Sequence, residues 1–446
     1  MVAAALTQAV IAATRFGFAP RAGELTSIAQ DPEGWVLRQL DQRPLALGGD
    51  LPQSAPMVAA MLEARRDKRD QDPDAKRKLN QQLRAVYLAE IAARVNAAST
   101  TEAPLLERLT RFWSNHFTVS CVRPVIRGFA GAFEREAIRP HVAGRFVDLL
   151  LAAEQHPAML FYLDQVMSIG PDSRAGERFG RGINENLGRE MLELHTLGVD
   201  GGYTQADVEA LARILTGWSI ARLNAPDPGI FHFYPQIHEP GPKVLLGKTY
   251  REDGLAEGEA ALRDLANHPA TAQHIATKLA RHFIADNPPP DAVRRIAAVF
   301  RDTGGDLKRV TAAVVHEEAA WKAPFVKVRT PDDLVVSACR VTGFTPQAPM
   351  VVNSLHILDQ QPYFAPSPAG WPDLASEWVG PEAVLHRIEW CQLYAARMPD
   401  PPDPASLAEA AFGEVLPEET GQAIRRAASR REGVALLLAA PEFQRR

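Results

Sequence analysis

The sequence predicts a mostly α-helical protein: a large multi-helix domain with a short β-hairpin insertion. Three observations lead there. Apolar residues recur at helical spacing through most of the 446 residues. Strand-like alternation is confined to 230–247, and prolines and glycines gather into short punctuating loops. Residues 1–446 read as one domain, with a weak division at the irregular stretch 222–255.

The elements follow in order. Residues 1–13 are apolar, but the first charge is Arg15 and Thr7 and Gln8 interrupt the run. An ordinary first helix is expected rather than an export signal, and with it a cytoplasmic location. Segment 61–98 reads as two charged helices joined by Asp70-Gln71-Asp72-Pro73-Asp74, presenting a solvated face. Leu105, Leu109, Phe112, Trp113, His116 and Phe117 share one helix face, and 145–153, 271–284, 291–300 and 381–398 continue in that style. Alternation at 230–234 and again at 243–247 predicts a hairpin across Pro240-Gly241-Pro242. Gly304-Gly305-Asp306 reads as a turn and helix cap.

Composition excludes several classes. A net charge of -5, with 46% hydrophobic and 23% charged residues, gives no global electrostatic ground for nucleic acid or an anionic membrane as partner. No run approaches the roughly 20 apolar residues of a membrane span. Cys121, Cys339 and Cys391 form neither a disulfide framework nor a zinc pair, and burial is expected for each. Phosphate-loop, dinucleotide and nucleophile-elbow motifs are missing from the sequence.

The densest chemistry lies at 184–198, read as one helix. At about 100° per residue, Glu185, Asn186, Arg189, Glu190, Glu193 and Thr196 fall on one arc, and Leu187, Met191, Leu194 and His195 on the other. His195 therefore cannot share a metal with Glu193 or Asn186. Two readings remain. Asn186, Glu190 and Glu193 line a cleft for acid/base or cation-assisted chemistry, with Arg189 tuning their charge. Alternatively the arc is a solvated face laced by i,i+4 pairs. Gly198 ends this helix, and Thr204-Gln205-Ala206-Asp207 caps a second one carrying Val208, Leu211, Leu215 and Trp218.

His116, His195 and His282 each fall on an apolar face. Convergence would give a metal or haem site, whereas taken singly each reads as a satisfied buried histidine. His156-Pro157 is a cap or a site residue. His274, Lys278 and Arg281 make a basic stripe, either a solvated face or an anion contact.

Several stretches resemble the bacterial domain-of-unknown-function family numbered 1800. They are Arg15-Phe16-Gly17-Phe18, Phe112-Trp113-Ser114-Asn115-His116-Phe117, His156-Pro157-Ala158-Met159-Leu160, Tyr162-Leu163-Asp164, residues 184–218, Lys278-Leu279-Ala280-Arg281-His282-Phe283 and Gly370-Trp371-Pro372-Asp373. Gln165 departs from the asparagine expected there. The resemblance implies an accessory role beside an exported, sulfatase-like hydrolase partner, and a periplasmic location through export with that partner. The residues themselves favour an enzyme whose site lies between the 105–117 and 184–197 helices. Glu190 and Glu193 would supply acid/base or cation-binding groups, Asn186 would orient the substrate, Arg189 would tune charge, and His116 would face the same cavity. Substrate and cofactor are left open.

Overall fold

The computed structural model describes residues 2–47, 50–67 and 72–446. Among these, 22 α-helices and two small antiparallel strand pairs make a mostly α architecture. No described helix is long and apolar enough to cross a membrane. One contiguous apolar cluster takes side chains from Ala9 through Phe443. The first helix, Val2–Ile11, buries Ala9 and Val10 in it. Residues 445–446 pack against 327–328: Val328 bridges Arg445, and Lys327 and Arg446 exchange backbone hydrogen bonds.

At the centre lies the helix Pro104–His116. Proline at its first turn lacks the N–H that would otherwise go unpaired there. Nearly every face is covered, so Glu107, Arg108 and Arg111 are buried together with Leu105, Leu109 and Trp113. The helices expected at 145–153, 271–284, 291–300 and 381–398 occur as Phe146–Glu154, Pro269–Phe283, Pro290–Asp302 and Pro381–Arg397. The charged pair occurs as Ser54–Arg66 and Pro73–Thr100. Of the turn between them, Asp70 and Gln71 lie outside the described residues, while Asp72 caps the second helix. Asp306 caps Leu307–Val315 after Gly304 and Gly305, both at positive φ.

The strands pair differently from expectation. Phe231–Phe233 pairs with Trp218–Ile220, and Lys243–Leu245 with Lys248–Tyr250. The Pro240-Gly241-Pro242 loop therefore connects two separate strand pairs instead of closing one hairpin. The second pair turns tightly through Leu246 and Gly247, both at positive φ. Trp218, expected on a helix, opens a strand because the helix Gln205–Ile214 stops first. Gly217, at φ 91, makes the break, and a Cβ there would meet the Phe233 ring at 2.4 Å. The Thr204 cap forms reciprocally with Asp207, as the sequence indicates.

Residues 184–198 are not one regular helix. A short α-helix, Asn186–Glu190, widens into a π-helical turn, Met191–His195, before Gly198 at φ 88. Such turns mark places where a backbone group is redirected, frequently at functional sites.

Candidate functional site

A cavity of about 310 Å³ opens beside the central helix. Its walls are the C-terminal turn of Pro104–His116, the inner face of Pro269–Phe283, the first turn of Pro331–Thr342 and the loop 360–374. Three stretches far apart in sequence thus meet, around Asn115-His116, Lys278-His282 and Trp371-Asp373.

The loop is fixed by Asn115. Its Nδ2 donates to the Trp371 carbonyl at 2.9 Å, and its Oδ1 accepts from the Trp371 N–H at 2.7 Å. Gly370 reaches this clamp at φ 80, where a Cβ would lie 2.5 Å from the Asn115 carbonyl oxygen. Clamping the loop aims Asp373 at His282, whose Nδ1 lies 2.7 Å from Asp373 Oδ2. Lys327 holds the other side, donating from Nζ to the Asp373 carbonyl at 2.7 Å and pairing with Oδ1 at 3.5 Å.

Charge in this corner is strongly perturbed. Burial pushes Asp373 upward, but His282, Lys327 and Arg446 together hold it well below the usual carboxylate range. Burial lowers His282 to about 4 against the pull of Asp373. At neutral pH the imidazole is therefore uncharged. With its Nδ1–H given to Asp373, Nε2 keeps its lone pair, and that nitrogen is buried without a partner among the described residues. One helical turn away, burial lowers Lys278 to about 8, with Asp373 opposing and Arg281 adding to the effect. No carboxylate or other acceptor takes the Lys278 ammonium among the described residues, because Asp373 is already shared by His282 and Lys327.

The same cavity carries Arg94 and Arg111, both bound to Asp332. These belong to a buried network in which Arg94, Arg111 and Arg139 meet Glu107, Glu134 and Asp332. Three cations face three carboxylates there, and although burial pushes Glu134 up, Arg94 and Arg139 hold it at about 2.

Of the residues expected from sequence, His116 lines this cavity. Its Nε2 donates to the His195 carbonyl at 3.1 Å, leaving Nδ1 without a partner. Burial and the nearby Lys278 hold it well below the ordinary histidine value. Glu190, Glu193, Arg189 and Asn186 are not among the lining residues. Asn186 is exposed, and Arg189 donates to Glu185 at 2.8 Å and to Gln205 at 3.0 Å. Glu190 is half-buried, its carboxyl raised by burial and by Glu193 against the pull of His195. Burial, and after it the nearby Glu193, raises the Tyr203 phenol.

The inward histidines converge only in part. The His116 ring centroid lies 6.1 Å from that of His195 and 6.2 Å from that of His274. Each ring has a protein partner instead of a common ligand: His195 Nδ1 donates to the fully buried Glu154 at 2.6 Å, and His274 Nε2 donates to the Leu194 carbonyl at 3.1 Å. Among the described residues no group of three or more His, Cys, Asp or Glu side chains is placed to hold a metal ion. His156 caps Pro157–Tyr162 and pairs with Glu136. The three cysteines are buried and free. The basic stripe is not a solvated face, since Lys278 and Arg281 line the cavity and His274 is half-buried beside it.

Sequence reasoning passed over Lys278, His282 and Asp373 as a group, and Arg108 entirely. The available signal was that Asn115, His116, Lys278, His282 and Asp373 all lie in the stretches that carry the family resemblance. No curated protein and no solved structure matches this chain. A family model does match, over residues 11–445, and its description reads "Protein of unknown function (DUF1800)". The chain belongs to the DUF1800 family.

Proposed function

We propose that this protein is an enzyme that binds a small anionic substrate in the cavity and moves a proton on it. His282 serves as the base, Asp373 orients it, and Lys278 anchors the anion. The observation that carries the reading is the juxtaposition of an Asp-oriented imidazole with a bare Nε2 and an ammonium that makes no direct ion pair among the described residues, both lining one cavity. A base held in its tautomer by a carboxylate is the general arrangement for proton abstraction or nucleophile activation. Lys278 supplies what an anionic group needs, a desolvated cation whose cost is relieved when the ligand arrives. His116 and Asn115 shape the wall beside it.

On this reading the chemistry resides in the cavity, and the Glu190–Glu193 arc is a separate acidic face whose partners are Tyr203 and Arg189. An accessory role beside a hydrolase, the alternative raised by the resemblance, leaves the His282–Asp373–Lys278 group without a use and ranks second. The test is turnover in a small-molecule extract. Purified protein and its His282→Asn variant are each incubated with the extract, and anion masses are compared by mass spectrometry. An anion consumed by the parent and spared by the folded variant supports the reading. Identical mass profiles from the two proteins overturn it.

A further inference from the structure

Directly behind the cavity wall lies a second group of buried cations, and its charges do not balance. Arg108 lines the cavity and is 1% exposed; Arg329 and Arg446 are 0% exposed. The carboxylate bound among them is Asp333, and one oxygen serves twice. Asp333 Oδ2 accepts from Arg108 Nη1 at 2.9 Å and pairs with Arg446 Nε at 3.0 Å. Arg329 has no ion pair among the described residues and gives Nη1 to the Phe443 carbonyl at 3.0 Å. The rings of Phe18 and Phe443 lie under Arg108 and Arg329 at 4.7 and 4.9 Å, a partial compensation.

Several donors are left over. Arg108 Nη2, Arg329 Nε and Nη2, and Arg446 Nη2 are buried with no hydrogen-bond partner among the described residues. Burial lowers Arg329 to about 9 and Arg108 to about 10, with neighbouring guanidiniums adding to the effect. The network around Glu134 balances its charge, three guanidiniums against three carboxylates, although Arg139 Nε is left over there too. Here Asp333 pairs with two of three guanidiniums, Asp373 acts on Arg108 and Arg446 through space, and Lys278 is a further cation lining the cavity.

We propose that Arg108, the member of this group that lines the cavity, forms with Lys278 the receptor for the substrate's anionic group, that Arg329 and Arg446 add positive charge behind it, and that the group is a tetrahedral oxyanion of the phosphate or sulfate type. Forked guanidinium donors suit planar carboxylates and tetrahedral oxyanions alike, but a fork joined by the Lys278 and Arg281 cations on the lining of one cavity favours the ligand with more acceptor oxygens and more charge. The inference rests on the anionic-substrate reading above and sharpens it.

The test is isothermal titration calorimetry of the full chain with inorganic phosphate, sulfate and acetate at constant ionic strength. Saturable phosphate binding, competed by sulfate and at least tenfold tighter than acetate, is expected. Arg108→Met should weaken phosphate at least tenfold; should that variant fail to fold, Lys278→Met is measured instead. Acetate binding as well as phosphate would overturn the tetrahedral assignment while leaving an anion site standing. Binding by none of the three would overturn both. Phosphate affinity unchanged in a folded Arg108→Met or Lys278→Met variant would overturn the receptor assignment.

Discussion

Replacing Lys278 by methionine should make the protein more stable. The ammonium sits one helical turn from His274 and from His282, without an acceptor among the described residues, and both imidazoles are uncharged at neutral pH. Its fall from 10.5 to about 8 corresponds to roughly 3 kcal/mol of unfavourable charging in the folded state. Solvent entering the cavity discounts this to about 1–2 kcal/mol. The sign follows from linkage. The folded state releases the proton earlier than the unfolded chain, so the cost is present in full below about pH 8 and fades as pH rises toward 10.5. Methionine fills similar space without charge. Urea denaturation should therefore show Lys278→Met ahead of the parent by about 1–2 kcal/mol at pH 7, with the difference shrinking at pH 10. A binding residue whose removal stabilises the fold is the usual mark of a site kept at the expense of stability. A variant that is less stable at pH 7 would mean that the ammonium is held by a direct ion pair, and Lys278 would then not be the anion anchor.

Other perturbations follow from the same geometry. Gly370→Ala places a methyl group against the Asn115 carbonyl at positive φ and should cost about 1–3 kcal/mol, read by chemical denaturation; an unchanged midpoint would show the clamp to be pliable. His274 and His282 both stand near 4 when folded against 6.5 for the ordinary group. Stability should be whole above about pH 6.5 and fall as pH drops toward 4, by up to about 2.7 kcal/mol per pH unit for the two together. His274→Asn should flatten part of that slope, His116 being held low as well, and a parent insensitive to pH in this window would contradict the buried neutral imidazoles. Glu190→Gln should be neutral or stabilising by up to about 1 kcal/mol at pH 7, since a carboxyl raised by burial weakens the fold once ionised. A loss of stability would place Glu190 in a packing network.

What the sequence could express was whatever repeats locally. Helical periodicity located the long helices, and Thr204 with Asp207 located a cap, because each depends on residues within one or two turns. The strand partners were not legible. Phe231–Phe233 has a partner on either side in sequence, and the choice of Trp218–Ile220 follows from Gly217 breaking the preceding helix. The angular sorting of 184–197 holds only as far as Glu190, because the π-helical turn from Met191 changes the angle between successive residues. The candidate site was harder still. His116, Lys278 and Asp373 are brought together by tertiary packing, and no window of sequence contains two of them. Glu107, Arg108 and Arg111 look on a helical wheel like the outer face of a helix. They are buried because Glu134, Arg139, Asp332 and Asp333 arrive from elsewhere to meet them.

Buried charge is the link between that packing and a function. A guanidinium out of water is costly unless a carboxylate and enough carbonyls receive its donors, so an assembly selected only for stability should leave none over. The wall built on Glu107, Glu134 and Asp332 meets that standard in charge. The wall built on Asp333 does not, and neither does Lys278. Both shortfalls have the same sign, and Arg108 and Lys278 border the same cavity, beside an imidazole oriented by Asp373. Unpartnered donors and acceptors also occur elsewhere in the core, so a leftover donor alone carries no function. What singles out Arg108 and Lys278 is that both put positive charge on the lining of one cavity beside that base, an arrangement an anionic ligand complements.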